Sequence, residues 1–576
     1  VRIIDSPTGR IAESSTRPNH TAILMKANFT FNENHTFSVD VSHDELGPIG
    51  SASLTFGPKQ PIALKFRNGA FGKLEEGKKY DRLVASAQDG QIFTLFNCEL
   101  HLIAVYADYI VGGDTADAFD LVEIEMTEIT NWFFQFQRIA GEPGASVEWK
   151  NRPCRVSADI TSALGDFSLA IEPYTELIKV SGGNEIRDTA ILSIENGKCN
   201  LSLCNIHSII TSLCALFSIL LAQPVSVICV RVRSKSGRGL SVYFPHYERV
   251  DGVGDPLDDR MRFFLKRHLF DGNWQSIAQS FFNSQLRDPS WIRLSSMKRY
   301  QDFWEYKVAA YVFILDSYVE FKTKALPKKV VKSATFKIET LAARLRKLRP
   351  ALMPAQDADI LTAVTDIFGT RKYDFREKYE YVVSQVDADV IKVINMTGDN
   401  FADLKQFRDD VAHGKPLNVD DAVSSRMPQL TDKLSLLLTY FAFLDFGLTS
   451  RDFVACLSQT WSRIVLNSDI NRMHLDRVNE SAEFIVVSAA TLELFKQQTK
   501  MRAFCCFDMT SGSEPAFSEY HTDLYYKQLF EKKPAGASQD PNDFFRLPDK
   551  KVRTVGKLYF EHGDDYLQLD HVFLFE

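Results

Sequence analysis

Phe401-Ala-Asp-Leu-Lys-Gln-Phe-Arg-Asp-Asp-Val-Ala-His413-Gly-Lys-Pro416 sets an apolar stripe beside a cluster of charged groups. It predicts a helix with a marked start and stop. Asp399 or Asn400 can cap the first turn, Phe401, Leu404, Phe407 and Val411 form an apolar stripe, and Gly414 with Pro416 ends the segment. Its last turn and a half carries Arg408, Asp409, Asp410 and His413 beside the C-terminal carbonyls. Arg408 and His413, five positions apart, are separated by about 140° in azimuth and about 7.5 Å along the axis, so they do not share a face. Asp409, four residues before His413, lies on nearly the same face and can accept a hydrogen bond from the imidazole. A helix C-terminus also favours a protonated histidine. The pattern suits a histidine poised for proton transfer.

Working outward, the residues before this helix divide by period. From about Thr21 to Phe134 the signals are those of strands: Ala22 to Phe31 and His35 to Val41, then Leu83 to Ala87 and Ile92 to Cys98 around Gln88-Asp89-Gly90. An antiparallel sandwich or open barrel is expected, with a sensing or assembly role, because no cluster of catalytic groups stands out in it. Residues 150 to 250 continue the β character. Ile206 to Ala222 interrupts it with an almost wholly apolar run, which reads as a buried helix rather than a membrane span, since Gln223-Pro224 and a strand follow at once. Ser234 to Gly239 reads as a hairpin loop; it lacks the Lys-Ser/Thr ending of a phosphate-binding loop.

After Gly254-Asp-Pro256 the period changes to about 3.6 residues per turn. Trp304, Val308, Tyr311, Leu315 and Tyr318 mark one helix, Tyr379 through Val393 a second segment, and Leu430, Leu434, Leu437, Phe441 and Leu444 a third, with Met427-Pro428 in its first turn. With the Phe401 to His413 helix these make a bundle. Ser481 to Lys500 reads as helical and Lys532 to Pro541 as a loop. Val555 to Glu561 and Tyr566 to Phe575 read as a terminal hairpin. The fold class expected is α+β and multidomain: a β-rich N-terminal region over 1–285 with an internal boundary near 150, a helical domain over 286–465, and a C-terminal helix and hairpin extension over 466–576.

The chain has 576 residues and a net charge of −7, which excludes a wholly basic nucleic-acid coat, so any RNA contact must be local. Lys322 to Arg349 is such a place, with ten basic residues (Lys322, Lys324, Lys328, Lys329, Lys332, Lys337, Arg344, Arg346, Lys347, Arg349) against Glu339 alone. It is a candidate track for a polyanion, and its alternative is a solvated helix face. The nine cysteines are scattered and read as reduced core thiols; Cys199, Cys204 and His207 lack a second ligand pair, so no metal is expected. Val-Arg-Ile-Ile-Asp-Ser-Pro at the start has no signal-peptide core, and a cytoplasmic location is expected. Neither a Walker motif, a dinucleotide fingerprint nor a Gly-x-Ser-x-Gly elbow occurs, which removes the commoner enzyme classes. Arg262 to His268 repeats the arginine–histidine spacing in another expected helix.

Arg408-Asp-Asp-Val-Ala-His413 resembles the R-x4-6-H motif of the HEPN ribonucleases, and with Gly414-Lys415 and the flanking helices the chain resembles the Apea-like HEPN proteins of bacterial anti-phage defence. In that family a β-rich domain precedes the HEPN bundle. Ile314-Leu315-Asp316 departs from the Ala-Leu-Glu-like run expected there. The resemblance implies a metal-independent endoribonuclease of abortive infection, needing no cofactor, with Arg408 and His413 as catalytic groups at a dimer interface. Asp409 would orient the imidazole, and Lys415, Lys322, Lys324, Lys328, Lys329 and Lys332 would hold RNA. The implied partners are RNA (tRNA among the candidates), a phage-derived trigger, and a second copy in a homodimer or higher even-numbered homo-oligomer, with no membrane. The alternative is a non-catalytic HEPN module that binds a nucleotide, RNA or a phage protein and acts by assembly. A third reading is a carbohydrate- or peptide-binding β protein with a helical adaptor.

Overall fold

The structure, a computed structural model, describes residues 27–31, 35–42, 51–56, 62–66, 79–87, 92–101, 104–134, 139–140, 148–149, 153–180, 183–196, 201–233, 237–244, 262–300, 303–330, 370–412, 421–498, 503–510, 512–530, 541–545 and 549–576, with positions 340, 343, 344, 347 and 547. They form two compact units, one from Val1–Gln385 and Thr397–Ser468, the other from Val386–Met396 and Asp469–Glu576.

The first unit opens with strands β1 (Ala27–Phe31), β2 (His35–Ser42), β3 (Ser51–Phe56), β4 (Ile62–Phe66), β5 (Lys79–Ala87), β6 (Ile92–His101), β7 (Ala104–Tyr106), β8 (Tyr109–Gly112) and β9 (Leu121–Met126). After the short helix α1 (Ile129–Phe133) come β10 (Ile139–Ala140), β11 (Glu148–Trp149), β12 (Val156–Ser162), β13 (Gly165–Val180) and β14 (Gly183–Glu195). Helix α2 (Leu203–Leu220) precedes β15 (Val227–Arg233) and β16 (Leu240–Tyr243). Apart from the separate β10–β11 pair, they make one open antiparallel sheet in the order β1-β2-β3-β4-β5-β6-β8-β16-β15-β9-β14-β13-β12, with β7 on β6. Both hairpins read from the sequence are present, as Phe31 opposite His35 and Ser86 opposite Ile92. Residues 22–26 lie outside the described residues.

Alternation decides which face is covered. Val122, Ile124 and Met126 of β9 are buried while Leu121, Glu123 and Glu125 are less so. Helix α2 is long and apolar enough to cross a membrane, but most of it is buried within the fold. Ser202 caps it through the Asn205 N–H, and the Asp117 carboxylate accepts from the Leu203 N–H at 2.6 Å.

Helices follow: α3 (Arg267–Asn283), a π-helical turn at Arg287–Trp291, α4 (Ile292–Arg299), α5 (Trp304–Thr323), α6 (Phe375–Ser384), α7 (Gly398–Ala412), α8 (Asp421–Asp445), α9 (Ser450–Gln459) and α10 (Arg463–Leu466). Helix α8 is buried on all sides between Leu434 and Phe443, as befits the centre of a bundle rather than an amphipathic surface helix. Tyr318 of α5 stacks on Phe441 of α8 at 4.6 Å. The Asp445 carboxylate at the end of α8 accepts from Ser284 Oγ (2.5 Å) and Trp291 Nε1 (2.7 Å).

Three expectations need correction. Tyr379 through Val393 is two helices, because the Asp387 carboxylate accepts from the Asp389 and Val390 N–H groups and starts a new helix at Ala388. Pro428 is inside α8, which begins at Asp421; having no N–H, it leaves the Ser424 carbonyl without its helical donor. Ser481 to Lys500 is not one helix: Glu483–Val486 pairs in parallel with Leu558–Glu561, and only Ala489–Gln497 is helical, capped by Ser488.

The second unit, taken alone, is a five-stranded sheet in the order Glu483–Val486, Val552–His562, Asp565–Phe575, Cys506–Asp508, Ala516–Phe517. Its core includes Phe495, Phe507, Leu558, Phe560 and Val572. The terminal hairpin turns at Gly563-Asp564, where Gly563 adopts φ 60°, as its first turn position requires.

At the β12 edge, side chains take the place of a further strand. Gln275 of α3 accepts from the Asp159 N–H (2.8 Å) and donates to the Asp159 carbonyl (2.7 Å). One turn on, Gln279 does the same with Thr161 (3.1 and 2.9 Å), and Asn283 adds a donor to Thr161 (2.9 Å). Spacing by four residues keeps these amides on one helix face, so the edge is covered. Replacing both Gln275 and Gln279 with Ala should cost about 1–3 kcal/mol, read as a lower urea midpoint, and increase aggregation on heating.

A second prediction concerns Lys298, half-buried at the end of α4, whose Nζ is turned inward and donates to Ser435 Oγ at 2.8 Å. Burial lowers its pKa from 10.5 to about 7, opposed by Asp432. Between these values the unfolded chain holds a proton that the folded chain has released, so this group makes stability rise with pH across that window. Below about 7 the cost of burying the charge is paid in full. Lys298→Met should remove that slope, about 1.4 kcal/mol per pH unit at most, in urea titrations of both proteins from pH 6.5 to 9.

Candidate active site

Helix α7 begins at Gly398, two residues before a cap at Asp399 would start it. Thr397 is its cap: Thr397 Oγ1 accepts from the Asn400 N–H and Asn400 Oδ1 accepts from the Thr397 N–H, both at 3.2 Å. Asn400 therefore closes the reciprocal pair rather than capping the helix, and Asp399 takes no part in this pair. Phe401, Leu404 and Phe407 are buried as expected, and Val411 is half-buried. Phe401 stacks on Tyr379 of α6 at 4.2 Å, and Phe407 lies against Trp304 of α5 at 5.6 Å. These contacts fix the rotation of α7 and hence the direction of Arg408.

Arg408 points between helices, with 23% of its side chain exposed. Its Nη2 donates to Asp316 Oδ2 of α5 at 2.6 Å, and its Nη1 donates to Asp409 Oδ1 at 3.2 Å. The guanidinium carbon is 5.2 Å from the Phe375 ring centroid and 6.0 Å from that of Phe313. Arg408 Nε is buried with no hydrogen-bond partner. Asp316 is the residue that sequence reasoning noted only as a departure from a pattern. Its signal was nonetheless present, as the single carboxylate in the run Val308 to Val319.

Asp409 also lies 3.6 Å from Lys405 Nζ, and Asp410 accepts from Gln406 at 2.9 Å. His413 and Lys415 lie outside the described residues; α7 is described to Ala412. Of the expected RNA-binding lysines, Lys322, Lys324 and Lys328 are exposed, and Lys322 Nζ lies 5.5 Å from the Tyr318 ring centroid. Lys329 is engaged: Nζ is 2.5 Å from Glu377 Oε1, while Arg371 grips both oxygens of the same carboxylate at 2.6 Å. Arg371 and Lys329 together hold the Glu377 carboxyl well below its usual range. Lys332 lies outside the described residues.

The second arginine–histidine spacing is not on one helix. Arg262 precedes α3 and pairs with Glu128, whereas His268 is exposed on the first turn. Among the described residues no group of three or more His, Cys, Asp or Glu side chains is placed to hold a metal ion.

Taken together, a β-rich region followed by helices, with an arginine held between two of them, defines an α+β multidomain chain. Residues 49–281 match the family described as ApeA N-terminal domain 1, so that over that region the chain is similar to ApeA-like proteins. The match runs from before β3 into α3 and does not reach Arg408. No curated protein and no solved structure matches the chain.

Proposed function

We propose that this chain is a metal-independent endoribonuclease of the HEPN type acting in anti-phage defence, cleaving RNA where two copies bring their Arg408 and His413 side chains together. The observation that carries this reading is the Asp316–Arg408 pair. It holds a permanently charged, planar donor near a helix end, in a partly dry setting, five residues before a histidine in the sequence. Arg408 is suited to the non-bridging phosphate oxygens. His413 is suited to move a proton near neutral pH.

In such a reaction the 2′-oxygen attacks phosphorus as its proton is removed. The bond to the 5′-oxygen breaks as that oxygen gains a proton, leaving a cyclic phosphate and a 5′-hydroxyl. One histidine per chain supplies an acid or a base, and a two-fold pair supplies both. Support for pairing comes from the aromatic side chains exposed along α5: Tyr306 (64%), Phe313 (45%), which lies beside Arg408, and Phe321 (36%), with Phe303 (68%) just before its first turn. An aromatic strip of this kind on a charged helix is expected to be covered. Asp316 would act as a positioning residue for the guanidinium.

Purified protein incubated with total RNA in excess EDTA should yield cyclic phosphate ends. Arg408→Ala and His413→Ala should each lower cleavage by about a hundredfold or more with folding and assembly unchanged. Asp316→Asn should lower kcat about tenfold with little change in KM. Full cleavage by both the Arg408 and His413 variants would remove the catalytic reading in favour of a binding module. Neutralising Lys322, Lys324 and Lys328 together should weaken RNA binding and reduce the salt slope by about 2.

A further inference from the structure

Outside the arginine site, Tyr109, Cys204 and His207 bring a phenol, a thiol and an imidazole to one point. Cys204 and His207 are three residues apart in the first turns of α2 and so share a helix face. Tyr109, the first residue of β8, meets them from the sheet. Its hydroxyl lies 3.4 Å from His207 Nδ1 and within hydrogen-bonding reach of the Cys204 sulfur. The imidazole centroid is 4.6 Å from the ring of Phe244 and 5.8 Å from that of Tyr109, so both rings hold it in place.

Exposure divides the roles of the three. Cys204 is exposed, His207 is half-buried and Tyr109 is buried. Burial holds the His207 pKa below its ordinary 6.5, with Asp108 pulling the other way, so the ring is neutral at neutral pH. With its hydrogen on Nε2, that ring accepts at Nδ1. Burial and the neighbouring Cys204 push the Tyr109 phenol up to about 12, with Asp108 and Asp117 adding to the rise, so it keeps a proton and passes one along. The helix end does not supply the activation: Asp117 already accepts from the Leu203 N–H and Ser202 Oγ from the Asn205 N–H. Cys98, Cys214, Cys456 and Cys506, by contrast, are buried, and burial pushes each thiol up to about 12. Cys154 is exposed like Cys204 but has no imidazole or phenol partner among the described residues.

We propose that Cys204 is a redox modification site, oxidised by a hydroperoxide to the sulfenic acid while Tyr109 and His207 relay the proton. The thiol gives its proton to the Tyr109 oxygen as the phenolic proton moves to His207 Nδ1. The thiolate lone pair then attacks the terminal O–H oxygen of the peroxide, so that an S–O bond forms and the O–O bond breaks. The departing hydroxide or alkoxide takes the proton back along the same path and leaves as water or an alcohol. Sulfur loses two electrons, the peroxide gains them, and His207 ends neutral as it began. The relay therefore serves both halves of the step, first as base and then as acid. This site is separate from Arg408 and does not depend on RNA cleavage.

The test uses the full chain, hydrogen peroxide and a dimedone trap, with labelling read site by site by mass spectrometry. At neutral pH Cys204 should be labelled about tenfold faster than Cys154, an exposed thiol of the same molecule that lacks the relay. Tyr109→Phe keeps the ring and removes the hydroxyl, and His207→Gln removes the base. Each should bring Cys204 to within about twofold of Cys154, with the far-UV circular dichroism unchanged. Equal labelling of the two thiols in the wild-type chain would overturn the proposal without any variant. An advantage for Cys204 that survives both substitutions would overturn it as well. Arg408→Ala should leave both labelling rates unchanged, which keeps this result distinct from that of the cleavage assay.

Discussion

A guanidinium taken partly out of water must be paired, and in this chain the partner of Arg408 comes from ninety-two residues earlier. Asp316 sits on α5, which packs against α4, α6, α7 and α8, so its carboxylate ties the end of α7 to a helix held on several sides. The tie works because packing has already set both helices: Phe401 and Phe407 leave α7 one rotation, and Tyr318 on Phe441 holds α5 against α8. With Nη2 on Asp316 and Nη1 on Asp409, Arg408 is bound on two sides, and its Nε has no partner. A third acceptor, such as a phosphate oxygen, must either displace the longer Asp409 contact or draw the guanidinium outward. The Asp316 bond is the shorter of the two and would be the last to yield.

What the sequence made legible follows from local periodicity. The stripe Phe401, Leu404, Phe407 is buried, the terminal hairpin turns at Gly563, and α2 is an internal helix because a turn and a strand follow too soon for a span. What it hid depends on partners distant in the chain. Nothing near Lys329 predicts that Glu377 will hold it, and nothing near Asp159 predicts glutamines 116 residues away. Two local misreadings have local causes. Asp387 can cap a helix while also continuing an apolar period, and Pro428 lies inside a helix whose burial elsewhere outweighs one missing hydrogen bond. His413 lies outside the described residues, so of the expected catalytic groups the structure places Arg408 and Asp409.

The ion pair at Glu377 modifies the view of the basic track. A run of ten cations reads in sequence as one surface, yet one of them is already neutralised by a carboxylate that also holds Arg371. Charge counted along a chain overstates what is available to a polyanion whenever an acidic side chain from another element folds into the run. Lys322, Lys324, Lys328, Arg344 and Lys347 are described members of the run that are exposed and stand apart from that cluster.

Edges of sheets pose the same accounting question as helix ends: each backbone donor and acceptor needs a partner. Along β12 the chain answers with amide side chains of α3, which accept from the Asp159 and Thr161 N–H groups and donate to their carbonyls. At β13 it answers with Pro173, which has no N–H to satisfy. The two solutions differ in reach: the amides spend a helix face on the edge, so the spacing of Gln275 and Gln279 ties the rotation of α3 to the register of β12, whereas a proline blunts the edge without any partner.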